Sequence, residues 1–590
     1  MSQLDATLQF SRWLGGVNEQ AGASELTPDE LVSNQNWEYG DRGALVMREG
    51  CRRYTDAAGL PAPIQTIFRL TYNEDQQRQL LVTAGTQLFT VDTGGVDTAL
   101  PLRTGEKAIS SLVRSGTTAT ATSTAHGYSN GDAVSVYGAT QPEYNGWWTI
   151  GNVTADTFDY TVASSAATPA TGSLFAFKTS EGYYRPASAY TAGRTFSFAQ
   201  RFSQVFLANG ADPITMYNPL APTPDLQRVA SAYSPQAPVA LNWFEERLFA
   251  LNDVGTAAQR LAYSMRGDGS QWNGLDFLDI RSPGGGVGVA LRTRNDHQIL
   301  FFSDSILALY GSSKETFQRV WISETIGAVS SGGIVTLSDG TIEFVSQTGI
   351  YALSGMEVRL VSWKVSPRFE SGITAVHAAY DSLGRRAIFS SVGGKCLVHS
   401  HRGPPKLDPE TGRLEVGPFA DRVYPQLPER FSVWDGPGDH GEVLFSTGNH
   451  LFQVVGHYDE NAAGTVTSIE AQAVTGYFDP QDSARMNRAR WIYATHDGAD
   501  PLTVTLLRDF GISSEVTTLP GTTSSGGAWG GFNWGAANWG GSAALPRRAS
   551  LLSLVFAHLF AIKIGCSSQI GHSLSSLRVD FVTRDREVFA

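Results

Sequence analysis

His399 and His401 stand one residue apart in AIFSSVGGKCLVHSH. That spacing puts two side chains on one face of a strand, and two imidazoles are the beginning of a zinc site. No acid or third ligand stands near them in sequence, so they read as ordinary edge residues. Asp435-Gly436-Pro437-Gly438-Asp439-His440-Gly441-Glu442 offers carboxylates in a loop. Its oxygen spacing does not match the calcium loop of an EF-hand, and Pro-Gly marks a turn. Gly393-Gly394-Lys395 lacks the upstream glycine of a phosphate loop. Glu245, Glu246 and Asp253 are carboxylates that nothing singles out, and the chain has no G-x-S-x-G, no H-E-x-x-H and no G-x-x-x-x-G-K-[ST]. The expectation is no catalytic residue, no cofactor and no metal.

Aromatic side chains form the other candidate set. In Glu143-Tyr144-Asn145-Gly146-Trp147-Trp148-Thr149, a strand sends Trp147 and Trp148 to opposite faces, one to the core and one partly to solvent. The Gly-rich run 524–541 carries Trp529, Phe532, Trp534 and Trp539. Glycine-rich backbone is not rigid by itself, so these rings are expected to pack on their own or a neighbouring subunit. Trp147, Trp148, Trp529, Trp534 and Trp539 are the interaction candidates, with a membrane or sugar contact as the competing use of the arm and a glycan contact as that of the insert.

The elements that position these residues follow a repeat. Seven stretches pair an apolar strand with a polar turn and a second strand, beginning near Leu81, Val205, Leu248, Ile299, Ile342, Ala387 and Val443. A period of roughly 40–55 residues with several short strands per unit is the signature of a β-propeller. One blade cannot bury both faces of its sheet alone, so neighbours must stack. The expected fold is all-β: a propeller of about six to eight blades, a small inserted β-sandwich or barrel, and a C-terminal β-sandwich platform.

The expected divisions are a lead-in over 1–60, a first blade over 61–107, an insert over 108–176, the remaining blades over 177–460 and a sandwich over 461–590 with its arm at 524–541. The insert is Thr-, Ser- and Ala-rich, with short alternating strands such as Ala133–Tyr137 and Thr157–Val162. In the lead-in, Thr27-Pro28-Asp29-Glu30-Leu31 predicts a helix start, with Thr27 as cap and Pro28 in the first turn. Gly43–Gly50 predicts a strand closing on a turn.

A net charge of −12, from 44 basic and 56 acidic residues, is not the footprint of a protein that grips nucleic acid by its phosphates. Cys51, Cys396 and Cys566 are odd in number and lack C-x-x-C spacing, so folding in a reducing cytosol is expected. MSQLDATLQFSRW has no basic start followed by an apolar run, and Leu551–Ile564 is short and broken by His558 and Lys563. The expectation is a soluble protein with no membrane anchor.

Several stretches carry positions that match one family pattern. In the lead-in the matching positions are Gly15, Gly16, Asn18, Pro28, Glu30, Asn34, Asn36, Gly43, Arg48, Gly50 and Tyr54. A second stretch matches through Arg247, Leu248, Phe249, Ala250, Leu261, Tyr263, Ser264 and Trp272. The third is ILFFSDSILALYGSS with the following IGAVSSGGIVTLSDGTIEFVSQTGIYALSG. The insert is similar to a small β domain of phage virion proteins through His126, Gly127, Gly131, Asp132, Gly138, Asn145 and Gly146. Together these stretches resemble the tail nozzle or hub (tail tubular protein B-like) family of short-tailed bacteriophages, and the Gly/Trp arm is not part of that family's pattern.

The resemblance implies a structural virion protein without enzymatic activity, assembled in the host cytoplasm into a homo-oligomeric ring, usually of six subunits. Its implied partners are the head–tail adaptor ring above and tail fibres or a spike at the periphery. Genomic DNA would pass through its channel during ejection without specific binding, which an acidic lumen favours. The alternative is a propeller that recognises or degrades a glycan receptor, with the insert's tryptophans as the platform.

Overall fold

Each of the seven repeats folds as a hairpin because apolar residues dominate both strands and its turn carries Gly, Asn or Asp. In the computed structural model those hairpins are the middle of successive antiparallel sheets. The structure describes the chain apart from residues 1–5, 41, 73–76, 93, 252–258, 295, 371–372, 374–375, 393, 402–405, 408–413, 416, 435–441, 481–485, 522–544, 552–555 and 585–590. The fold is all-β, of the β-propeller type, and among the described residues seven blade sheets follow the repeat. The chain divides into two compact units, Leu60–Ser331 and Met1–Gly59 with Gly332–Ala590.

The first unit carries four blades. The first is built from Ile64–Tyr72, Gln77–Ala84, Gln87–Val91 and Asp97–Ala99, and the second from five strands between Tyr184–Pro186 and Leu226–Val229. The third runs from Ala240–Phe244 to Asp268–Asp279, and the fourth from Gly288–Arg294 to Gln318–Ser323. Their central strands are buried on both faces: all six residues of His297–Phe302 are buried, as expected where a sheet is covered on either side. Residues between the first and second blades form the insert. Its two sheets, one of four strands and one of three, enclose Leu112, Val134, Val136, Tyr144, Phe158 and Tyr160.

The second unit carries three blades and a sandwich. The fifth blade comprises Ile334–Thr336, Ile342–Ser346, Gly349–Ser354 and Glu357–Leu360, and the sixth Ala378–Asp381, Arg386–Val392, Lys395–Ser400 and Phe419–Arg422. The seventh takes Arg430–Trp434, Glu442–Thr447 and His450–Val454 from late in the chain, and its fourth strand, Cys51–Arg53, from the lead-in. Gly50 makes this possible: a Cβ there would lie 1.9 Å from the Tyr458 carbonyl oxygen.

The sandwich is likewise shared between the two ends of the chain. One sheet sets Trp37–Tyr39, Leu45–Met47 and Ala6–Phe10 beside Ser573–Arg584 and Met486–Asp497. The other sets Glu30–Gln35 beside Val466–Thr475, Phe560–Ser568 and Leu502–Arg508. Phe10, Trp13, Leu31 and Trp37 from the lead-in pack with Ile492, Ile562, Val579 and Phe581 in one core.

The helix expected from Thr27 does not form. The turn signal is realised once: the Glu30 carboxylate accepts from the Thr27 backbone N–H (3.1 Å), as it would in a capping box. Glu30 is also held by Asn18 Nδ2 (2.9 Å) and Lys364 Nζ (3.0 Å). From Glu30 onward the chain runs as a strand, because Leu31 enters the sandwich core and the backbone pairs with Val466–Thr475. Tertiary pairing overrides local propensity here.

Candidate functional site

The two histidines noted in the sequence do share a face, and the third group that the sequence did not place beside them is Glu343. It belongs to Ile342–Ser346 of the fifth blade, whereas His399 is the last but one residue of the third strand of the sixth, Lys395–Ser400, and His401 follows that strand. The fifth and sixth blades pack through Val345, Ile350, Phe389, Leu397 and Phe419, and that packing carries Glu343 to the imidazoles. Glu343 Oε1 lies 2.8 Å from His399 Nδ1 and 3.5 Å from His401 Nε2. The Glu343 and His399 side chains are inaccessible and that of His401 is 13 % exposed.

The ring planes are fixed by neighbours. His399 stacks on Phe419 at 4.4 Å and 8°, and His401 meets Tyr380 edge-on at 6.2 Å. Burial by itself pushes the Glu343 carboxyl up, but the two imidazoles outweigh it and hold the pKa at about 2. Burial lowers His401, and the Glu343 charge more than reverses this, leaving its pKa above the usual histidine value. The reading of these histidines as isolated edge residues is therefore corrected. The period-2 signal was in the sequence; the acid comes from another blade and had no local signal.

The lead-in positions that carry the family resemblance form a second cluster. Arg48 donates from Nε to Asn36 Oδ1 (2.8 Å) and grips Asp459 through Nη1 (2.9 Å) and Nη2 (2.5 Å). Asn36 Oδ1 also accepts from the Val423 N–H (2.7 Å), and Asn36 Nδ2 donates to the Glu470 carbonyl (2.7 Å). Asn34 Nδ2 donates to Tyr39 Oη (2.8 Å), whose own hydroxyl donates to the Phe419 carbonyl (3.0 Å). Next to them Glu38 is enclosed by Arg386 and Arg422. Burial pushes the Glu38 carboxyl up, yet the two guanidiniums keep it below the ordinary glutamate range. These polar side chains join the lead-in to the sixth blade and the sandwich. A buried charge without such partners costs several kcal/mol (roughly 3–5).

The other matched positions act locally. Arg247 Nη1 donates to the Ser264 carbonyl (2.9 Å) and the Leu248 N–H to Ser264 Oγ (3.0 Å), pinning one hairpin of the third blade. In the insert, Asn145 bonds both backbone groups of Ala139 (2.8 and 2.9 Å), and His126 Nδ1 accepts from the Tyr128 N–H (3.0 Å).

Trp147 and Trp148 lie on opposite faces of Gly146–Thr149. Trp148 stacks on Tyr160 at 5.4 Å and packs against the insert core. Trp147 is 40 % exposed, and its Nε1 donates to the Thr179 carbonyl (3.0 Å). Trp529, Trp534, Trp539 and the loop 435–441 lie outside the described residues, as does Asp253. Glu246 pairs with Arg266 at the surface (2.7 Å). Cys51, Cys396 and Cys566 are buried and none is in a disulfide, and no helix among the described residues is long and apolar enough to cross a membrane.

No protein-family model and no curated protein matches the chain. It is similar to solved structures at low identity. One is YCF48 bound to D1 peptide, 12 % identical over 60 % of this chain and 97 % of that one, with a TM-score of 0.27. Another is the Pan2 WD40 domain of Neurospora crassa, 9 % identical over 69 % and 95 %, with a TM-score of 0.27. A third is the WD40 β-propeller domain of Doa1, 9 % identical over 60 % and 97 %, with a TM-score of 0.28. Likenesses this distant carry no argument about function.

Proposed function

We propose that the chain is a structural virion protein, a ring-forming tail nozzle or hub subunit with no enzymatic role. One observation carries the reading: the lead-in residues that resemble the nozzle family are spent on architecture. Asn18, Glu30, Asn34, Asn36 and Arg48 bond to other parts of the same chain, and Gly50 admits the strand that completes a blade. A motif whose polar side chains each bond within the chain supports a scaffold.

In this reading the subunits assemble as a closed homo-oligomer, a hexamer by resemblance, through heterologous contacts. The ring stands below the head–tail adaptor, its channel passes the genome during ejection, and fibres or a spike attach at the periphery. A net charge of −12 suits a wall that DNA must slide past. The test is quantitative mass spectrometry of purified virus particles. The chain should remain with tails separated from heads, at a fixed low copy number near that of the adaptor. Absence from the particle would remove the proposal.

The exposure of Trp147 favours one second reading, a glycan-recognising insert. A glycan array probed with the full chain and with Trp147→Ala separates the two. Binding lost in the variant would support recognition, and no binding by the full chain would remove it.

A further inference from the structure

We propose that Glu343, His399 and His401 form a divalent-metal site of the zinc type that clips the fifth blade to the sixth. Candidate ligand atoms of the three residues all lie within 4.8 Å of one another. Around one zinc ion, with metal–ligand distances of about 2.0–2.2 Å, ligand atoms stand roughly 3–3.5 Å apart. The Glu343–His401 separation of 3.5 Å already meets this, and the Glu343–His399 pair at 2.8 Å needs to open by only a few tenths of an ångström.

A second observation points the same way. Both imidazoles address the same oxygen, Oε1, while Glu343 Oε2 is buried and makes no hydrogen bond. An ionised carboxylate oxygen without a partner is costly, and a cation held against this carboxylate removes that cost.

The donor set selects the ion. Two imidazole nitrogens and one carboxylate suit zinc and its borderline neighbours, whereas calcium and magnesium take oxygen-rich shells of six or more ligands. Two ligands sit on or beside one strand and the third on a strand of the packed neighbour, so the geometry is set by the sheets. His401 is the only one of the three with any exposed side chain. Entry and a fourth ligand, a water molecule, therefore come from its side. A neutral imidazole takes the metal at one ring nitrogen and carries its proton on the other, whereas a protonated one first gives a proton to solvent.

The test uses the full chain, freed of metal by dialysis against a chelator and then titrated with zinc ion alone. One zinc per chain should survive desalting, and the unfolding midpoint should climb with the logarithm of free zinc. His401→Gln should weaken binding by about tenfold or more, while His450→Gln, outside the cluster, should leave it unchanged. Cobalt(II) bound to the unaltered chain reports the coordination directly, even if a variant fails to fold. An intense low-coordinate visible spectrum is expected. No retained zinc, equal loss in both variants, or only the weak spectrum of solvated cobalt would each overturn the site.

Discussion

Arg48 and Asp459, 411 positions apart in sequence, meet in a buried, two-pronged ion pair. Arg48 also stacks its guanidinium on Tyr424 at 4.3 Å and donates to the Val423 carbonyl (2.6 Å). The pair fastens the lead-in beside the strand that completes the seventh blade. The start of the chain is thus as much a part of the fold as its middle.

Arg48→Met should leave Asp459 buried and unpaired, at a cost of about 3–5 kcal/mol. Arg48→Met with Asp459→Asn should recover part of it, because the stranded charge is gone. Denaturant unfolding followed by tryptophan fluorescence measures both. A double variant no better than the single one would mean that packing, not charge pairing, dominates.

Gly50→Ala should be poorly tolerated. Its Cβ has no room beside the Tyr458 carbonyl, and relief would require displacing the Cys51–Arg53 strand from His450–Val454. The expected loss is about 3 kcal/mol or more. Limited proteolysis should show new cleavage near residue 50, and an unchanged digestion pattern would contradict the shared blade.

Glu181 supplies a pH signature. Burial, and then the nearby Asp225 charge, raise its pKa from 4.5 to about 7, with Arg103 opposing. A carboxyl whose folded pKa is raised contributes stability that is fully present below pH 4.5 and is lost as pH rises through about 7. Glu181→Gln should therefore raise the melting temperature relative to the unaltered chain near pH 8 (roughly one unit above that pKa) and not near pH 4. Parallel melting profiles across that range would show that Glu181 is not held in this environment.

The insert should fold alone. Lys107–Ala108 pairs with the strand that leads out of the domain, in the register Lys107 with Ala176 and Ala108 with Phe175, so its ends lie side by side. Its own core contains Phe158, Tyr144 and Tyr160. A fragment spanning 106–179 should give a cooperative thermal transition by circular dichroism, and a broad, non-cooperative one would make the insert dependent on its host sheet.

What the sequence made legible was local. Apolar strands around polar turns identified the seven hairpins, because a blade's central strands have both faces covered and tolerate few polar interruptions. Strand alternation put His399 and His401 on one face and separated Trp147 from Trp148. Long-range closure was not legible. Nothing near Cys51 says that its strand partners residues about four hundred positions later, and nothing near Glu343 says that it meets His399, 56 residues on. Thr27–Glu30 shows the converse: a genuine capping signal yields one turn and then a strand, because Leu31 gains more from the sandwich core.

The most direct test of the structural reading is electron-microscope averaging of virus particles that carry this chain, labelled with an antibody against residues 108–176. Label around a ring at the end of the tail is expected. Label on side fibres or spikes, or none on the particle, would contradict that reading and bring glycan recognition by the insert forward.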